Sequence, residues 1–92
     1  MSAETTLKSY LDPSEREAIL RESNMNVVYI AESQEADSAG DTETSWAWLA
    51  KAAIPARTLM SMKNRRGAQF IRDKGLNTTK ADAAYGPGWL DR

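Results

Sequence analysis

The spacing of apolar residues near the middle of the chain predicts an α-helix. Four side chains recur there at intervals of three and four residues, which places them on one stripe of a helix from about 42 to 53. The stripe consists of Trp46, Leu49, Ala50 and Ala53. Trp48 points the other way, so it is either covered by neighbouring helices or exposed as an aromatic at an interface.

Two further helices are predicted before this one. Asp12 is placed to cap a helix over about 13–23, with a proline at its first position. The next segment opens with Val27-Val28-Tyr29-Ile30, which is typical of a strand, but the residues that follow favour helix and no second strand is available. We therefore predict a helix over 26–39 that ends at Gly40, with a strand over 26–31 as the alternative.

The segment after Pro55 is predicted to be helical and basic, because proline pushes the preceding residue out of the helical region and suits a first turn. Leu59 and Met62 would face inward in a helix over 56–66. If that helix continued, Arg66 and Asp73 would point into the core. We therefore predict a break at Gly67 and a separate short helix at about 68–74, ended by Gly75.

The two ends of the chain carry weaker patterns. Residues 1–11 are expected to fray, because residues 1–10 show no clear period; the alternative is that Leu7, Tyr10 and Leu11 dock as a short apolar edge. Residues 76–92 form a tail with a short helix through Ala84 and a turn at Gly86-Pro87-Gly88. The pair Trp89-Leu90 after that turn either folds back to complete the protein's own core or anchors a second subunit or partner.

Composition limits the classes of function. A chain of 92 residues predicts one domain with a modest core, which we expect to be a small all-α bundle of four or five short helices. The sequence contains no cysteine and no histidine, which excludes thiolate metal sites, zinc fingers and histidine-based hydrolase triads. We expect no cofactor, no metal and no enzymatic activity. The polar start and the lack of a long apolar run predict a cytoplasmic protein without a membrane span.

Charge is distributed unevenly along the chain, although the net charge is only −1. Residues 1–46 contain ten acids and three bases, whereas residues 47–92 contain nine bases and three acids. One interpretation is that the two halves pack together and neutralise each other. The other is that the second half presents a basic face to an anionic partner.

The stretch from 49 to 67 resembles the helix-turn-helix of phage-repressor-like DNA-binding regulators. The matching positions are a Leu49-Ala50 pair on the first helix, an aliphatic Ile54 in the turn, two inward residues at 59 and 62, and Gly67 at the end of the recognition helix. The segment between Ala50 and Ile54 is one residue short, and the usual glycine of the turn is missing. The resemblance implies a DNA-binding transcriptional regulator, expected to act as a homodimer.

The resemblance also implies roles for individual side chains. Arginine and asparagine can form paired hydrogen bonds with purines, whereas cations at the margin neutralise phosphates. The expected base contacts are Arg57, Ser61, Asn64 and Arg65. The expected phosphate contacts are Lys51, Lys63, Arg66 and Arg72.

A different class of function stays open beside DNA binding. The chain would then be a small helical modulator or adaptor that binds another protein. Its contacts would be the acidic N-terminal half or an interface of Trp48, Trp89 and Leu90.

Overall fold

The computed structural model describes residues 11–22, 27–52 and 58–91, without the side chains of Glu22 and residues 58–62. Within these ranges the chain forms five α-helices and a 3-10 helix, and none of the described residues is in a strand. The helices are α1 (Pro13–Glu22), α2 (Val27–Ser38), α3 (Thr42–Ala52), α4 (Thr58–Lys74), α5 (Thr79–Tyr85) and the 3-10 helix Trp89–Asp91. The predicted all-α class is confirmed, and residues 27–31 are helical, as the preferred interpretation of that segment predicts.

Local signals determine where several helices begin and end. At α1, Glu15 N donates to Asp12 Oδ1 over 2.9 Å and Asp12 N donates to Glu15 Oε1 over 3.0 Å, which is a reciprocal capping box. At α3, Asp41 Oδ1 accepts from Thr44 N over 3.2 Å. Gly40 follows α2 with a φ of 81°, in the left-handed region that favours glycine. These boundaries agree with the sequence prediction.

Helix α3 is the centre of the fold. Eight of its 11 residues are buried, including Trp48, Leu49 and Lys51. Contacts between Ser33 and Ser45, and between Tyr29 and Trp48 one turn further along, show that α2 lies antiparallel against α3. Helices α2 and α3 therefore form an antiparallel hairpin, and α3 is buried on more than the single stripe that the apolar spacing indicates.

Helix α4 crosses α3 very closely at Gly67. A Cβ atom built on this glycine would lie 2.6 Å from the backbone oxygen of Ala47 and 3.1 Å from the Cβ of Ala50. Asn64, one turn earlier in α4, contacts Lys51, one turn later in α3. Contacts therefore advance in opposite directions along the two helices, which means that they run antiparallel where they touch.

The predicted break in α4 is wrong, because the helix runs without interruption from Thr58 to Lys74 and ends at Gly75. Its buried face is carried by Asn64, Gly67, Ala68 and Ile71. Arg66 and Asp73 are exposed on the opposite side. The prediction failed because it extended the face of Leu59 and Met62, whose side chains lie outside the description, into a region where the core accepts an amide and a glycine.

The C-terminal segment packs against an aromatic cluster formed by Tyr29, Trp48, Tyr85 and Trp89. The rings of Trp48 and Trp89 stack with centroids 5.7 Å apart, and Tyr29 lies 5.3 Å from Trp89. Trp89 is 2 % exposed, so it completes the protein's own core. Leu11 is fully buried in the same core, so this residue docks, as the alternative predicts, and does not fray. Residues 1–10 lie outside the description.

Candidate nucleic-acid interface

Two of the eight predicted DNA contacts are in the interior. Lys51 is 0 % exposed and Asn64 is 6 % exposed. Lys51 Nζ donates to Asn64 Oδ1 over 3.1 Å, and Asn64 Nδ2 donates to the Lys51 carbonyl oxygen over 2.8 Å. The predicted outward positions of both residues are wrong, because buried polar groups need internal partners and these two supply them to each other.

The Lys51 amine also binds the C-terminal segment to the core. Its Nζ donates to the carbonyl oxygen of Leu90 over 3.0 Å, so a single side chain links α3, α4 and the 3-10 helix. Sequence position alone gives no sign of this link, because the three groups lie far apart in the chain. The Lys51 amine, which was expected to contact a phosphate, instead forms hydrogen bonds that join three elements of the fold.

Arg65 and Arg66 are exposed on the outer face of α4, as the DNA interpretation requires. Among the residues that the structure describes, neither forms an ion pair. Gln69 and Arg72 follow Arg65 at spacings of four and seven residues, which places them on the same face of the helix. We call Arg65, Arg66 and Arg72 the α4 arginine face.

Two further predicted phosphate contacts are already paired with carboxylates. Lys63 Nζ lies 2.5 Å from Glu15 Oε1, and both side chains are largely buried. Arg72 pairs with Asp91 at the surface, where the two side chains are 44 % and 73 % exposed. Arg72 is therefore accessible to a ligand, whereas Lys63 is engaged in joining α4 to α1.

The remaining predicted base contacts cannot be placed. Arg57 lies outside the described residues, and Ser61 belongs to α4 but its side chain is outside the description. The turn at Ile54-Pro55 also falls in the segment 53–57, so the resemblance to a helix-turn-helix stays a prediction.

The predicted protein interface is largely internal. Trp48 and Trp89 are each 2 % exposed. Both tryptophans therefore belong to the protein's own core and not to an exposed interface. Leu90 is half-buried beside them. The reason is the size of the chain, since a small domain needs its large aromatic side chains to complete its own core.

The two halves of the chain are partly, but not fully, neutralised against each other. Lys63 pairs with Glu15, and Lys80 Nζ lies 3.8 Å from Glu35 Oε1, so acidic α1 and α2 each bind a lysine of the second half. The α4 arginine face is not involved in these pairs. Neutralisation between the two halves is therefore present for Lys63 and Lys80, and a basic face for an anionic partner stays a prediction.

Asp91 and Gln69 also lie beside the α4 arginine face, and neither residue is among the contacts predicted from the sequence. Gln69 follows Arg65 by four residues, and this spacing places the two side chains next to each other if α4 is one unbroken helix. The approach of Asp91 had no local signal, because it depends on how the C-terminal segment folds back onto α4.

Comparison with known protein families, curated proteins and solved structures finds none that matches this chain. Over the described residues, no helix is both long enough and apolar enough to cross a bilayer.

Proposed function

We propose that the protein is a DNA-binding regulator that contacts the phosphate backbone through the α4 arginine face. The observation that carries this proposal is the pair Arg65 and Arg66, which are adjacent, exposed and free of ion pairs among the described residues. Guanidinium groups match the geometry of phosphate oxygens and stay charged at any physiological pH. The protein would act by binding in the cytoplasm, without catalysis.

The burial of Asn64 changes what the surface can recognise. Asparagine is the side chain that pairs with adenine in the major groove, and in this protein its amide is bonded to Lys51. Among the described residues, the three arginines of the α4 arginine face and the adjacent Gln69 remain to contact base edges. We therefore propose that backbone contacts supply most of the affinity of this surface.

The small number of phosphate contacts limits the expected affinity for DNA. Arg65 and Arg66, which each neutralise one phosphate, give a slope of about −1.8 in log K against log salt, because Arg72 is already paired with Asp91. This slope corresponds to weak, strongly salt-dependent binding by a single copy. A homodimer would double the number of contacts, and we propose pairing for that reason.

The alternative function is binding of another protein by a small helical modulator. The observation that favours it is Val27 at the start of α2, which is 59 % exposed, with Leu20 of α1 39 % exposed. Isolated exposed apolar residues are common on soluble domains, which makes this the weaker candidate.

A fluorescence-anisotropy titration with a mixed-sequence labelled duplex at several salt concentrations tests the proposal. Wild-type protein should bind with a slope near −1.8, and R65A/R66A should lose almost all of that slope. R21A/K80A is the matched control, because it removes two exposed cations from α1 and α5 and should leave the slope unchanged.

The outcomes are separable. Loss of binding in R65A/R66A with retained binding in R21A/K80A, and equal helix content by circular dichroism, supports the proposal. Equal weakening in both variants contradicts it, because the effect would then follow net charge instead of the α4 arginine face. Absence of binding by wild-type protein at low salt leaves protein binding as the better candidate.

A further inference from the structure

The C-terminal 3-10 helix brings a carboxylate onto the α4 arginine face. Asp91 forms an ion pair with Arg72, although 19 positions separate them in the chain. Both side chains are substantially exposed, so the pair lies where a ligand of this face would also contact Arg72. Of the three arginines of the face, Arg72 is the one with an acidic partner among the described residues.

Asp91 belongs to an anchored segment. Trp89 is buried against Trp48, two residues before Asp91. The carbonyl oxygen of the intervening Leu90 accepts a hydrogen bond from Lys51 Nζ over 3.0 Å. The two residues that precede the carboxylate are thus fixed to the core, and the carboxylate is presented at a defined position beside α4.

We propose that Asp91 acts as an internal competitor for phosphate on Arg72, and that it lowers the affinity of the α4 arginine face for nucleic acid. The inference rests on the proposed function. A carboxylate and a phosphate offer arginine the same kind of paired oxygen acceptors, so one excludes the other from the guanidinium. An exposed ion pair contributes little free energy, which means that Asp91 sets a threshold for binding without blocking it.

Salt dependence gives this competition a measurable signature. In the wild-type protein, a phosphate that contacts Arg72 must displace Asp91, and one cation of the face is neutralised before DNA arrives. Replacing the carboxylate by an amide frees Arg72 to release one further counterion, which steepens the slope of log K against log salt by about 0.9. Between about 50 and about 300 mM salt, the advantage of the variant should therefore shrink about fivefold.

The experiment compares D91N with wild-type protein in the anisotropy titration described above, using the full chain and the same labelled duplex. D91N should bind several-fold more tightly at low salt. The matched control is E35Q, which removes one acid and frees Lys80 in the same way on a different surface. We expect E35Q to leave the slope unchanged.

A second variant separates the specific contact from a change in net charge. In the R72A background, Asp91 has no arginine to occupy, so R72A/D91N should bind no more tightly than R72A. An equal gain from D91N with and without Arg72 would overturn the inference, since long-range charge would then account for the effect.

Failure of the inference and failure of the proposed function differ in result. If wild-type protein binds DNA and D91N leaves both affinity and slope unchanged, the competition is refuted and the binding surface stands. If neither protein binds DNA at low salt, the proposed function is refuted and the competition with it.

Discussion

Replacement of Gly67 by alanine tests the close crossing of α3 and α4. The new methyl group would lie 2.6 Å from the Ala47 carbonyl oxygen, about 0.8 Å inside the 3.4 Å at which ordinary contact begins. The obstructing atom belongs to the backbone, so a change of side-chain rotamer cannot remove the clash. The helices must move apart, which loosens the packing around the buried Ala68 and Ile71 on the same face of α4.

The expected magnitude is a balance of two effects. Overpacking costs about 1–3 kcal/mol, and a clash with a backbone atom belongs in the upper part of that range, at about 2–3 kcal/mol. Alanine in place of glycine in a helix interior recovers about 1 kcal/mol. We expect G67A to lower the free energy of unfolding by about 1–2 kcal/mol, and to lower the melting temperature by about 4–8 °C for each kcal/mol.

Urea denaturation followed by circular dichroism measures this change. The control is Q69A on the exposed face of the same helix, which should change stability by less than about 0.5 kcal/mol. If G67A were as stable as the wild-type protein or more stable, α3 and α4 could not approach each other as described, and the assignment of inner and outer faces of α4 would fail with that contact.

Three further predictions concern buried and capping groups. K51M should lower the free energy of unfolding by about 1–3 kcal/mol in urea denaturation, because the buried amide oxygen of Asn64 loses its donor. The hydroxyl and backbone N–H of Thr44 lower the pKa of Asp41 below 3.8, so its cap stabilises the protein above that pH and is lost as the pH falls through the lowered pKa. D41N should therefore show a smaller acid-induced loss of thermal stability than wild-type protein. Burial raises the pKa of Glu32 above 4.5, against the attraction of Lys80, so E32Q should stabilise the protein at neutral pH, with no gain in melts below pH 4.5.

The elements that could be predicted from the sequence are those with local causes. Asp12, Gly40 and Gly75 act through hydrogen bonds or backbone conformation within a few residues of their own position, so the helix ends they determine are readable without the fold. The helix over residues 27–31 is also predictable, because the residues that follow favour helix and the sequence offers no partner strand.

The inner face of α4 could not be predicted in the same way. An amide and a glycine lie at its centre, and hydropathy assigns neither to a core. Asn64 is buried because Lys51 is buried opposite it, and Gly67 is buried because the α3 backbone lies against it. Each reason depends on a contact between distant parts of the chain, so the sequence pattern alone places Asn64 on the outer face of α4.

In the proposed site, the exposure of the arginines could be predicted from the sequence, but the ion-pair partners of the cations could not. Arg65 and Arg66 are exposed, as expected, since an adjacent pair of arginines is costly to bury. The partners of Lys63 and Arg72 come from α1 and the C-terminal segment, so the spacing of residues within α4 does not predict them.

The most direct test of the account is an amide NMR titration of the labelled protein with a short DNA duplex. We predict that shift changes concentrate on the outer face of α4, at Arg65, Arg66 and Arg72, and spread to Asp91 as Arg72 exchanges its partner. Shift changes that cluster on α2, with the α4 arginine face unaffected at saturating DNA, would contradict it.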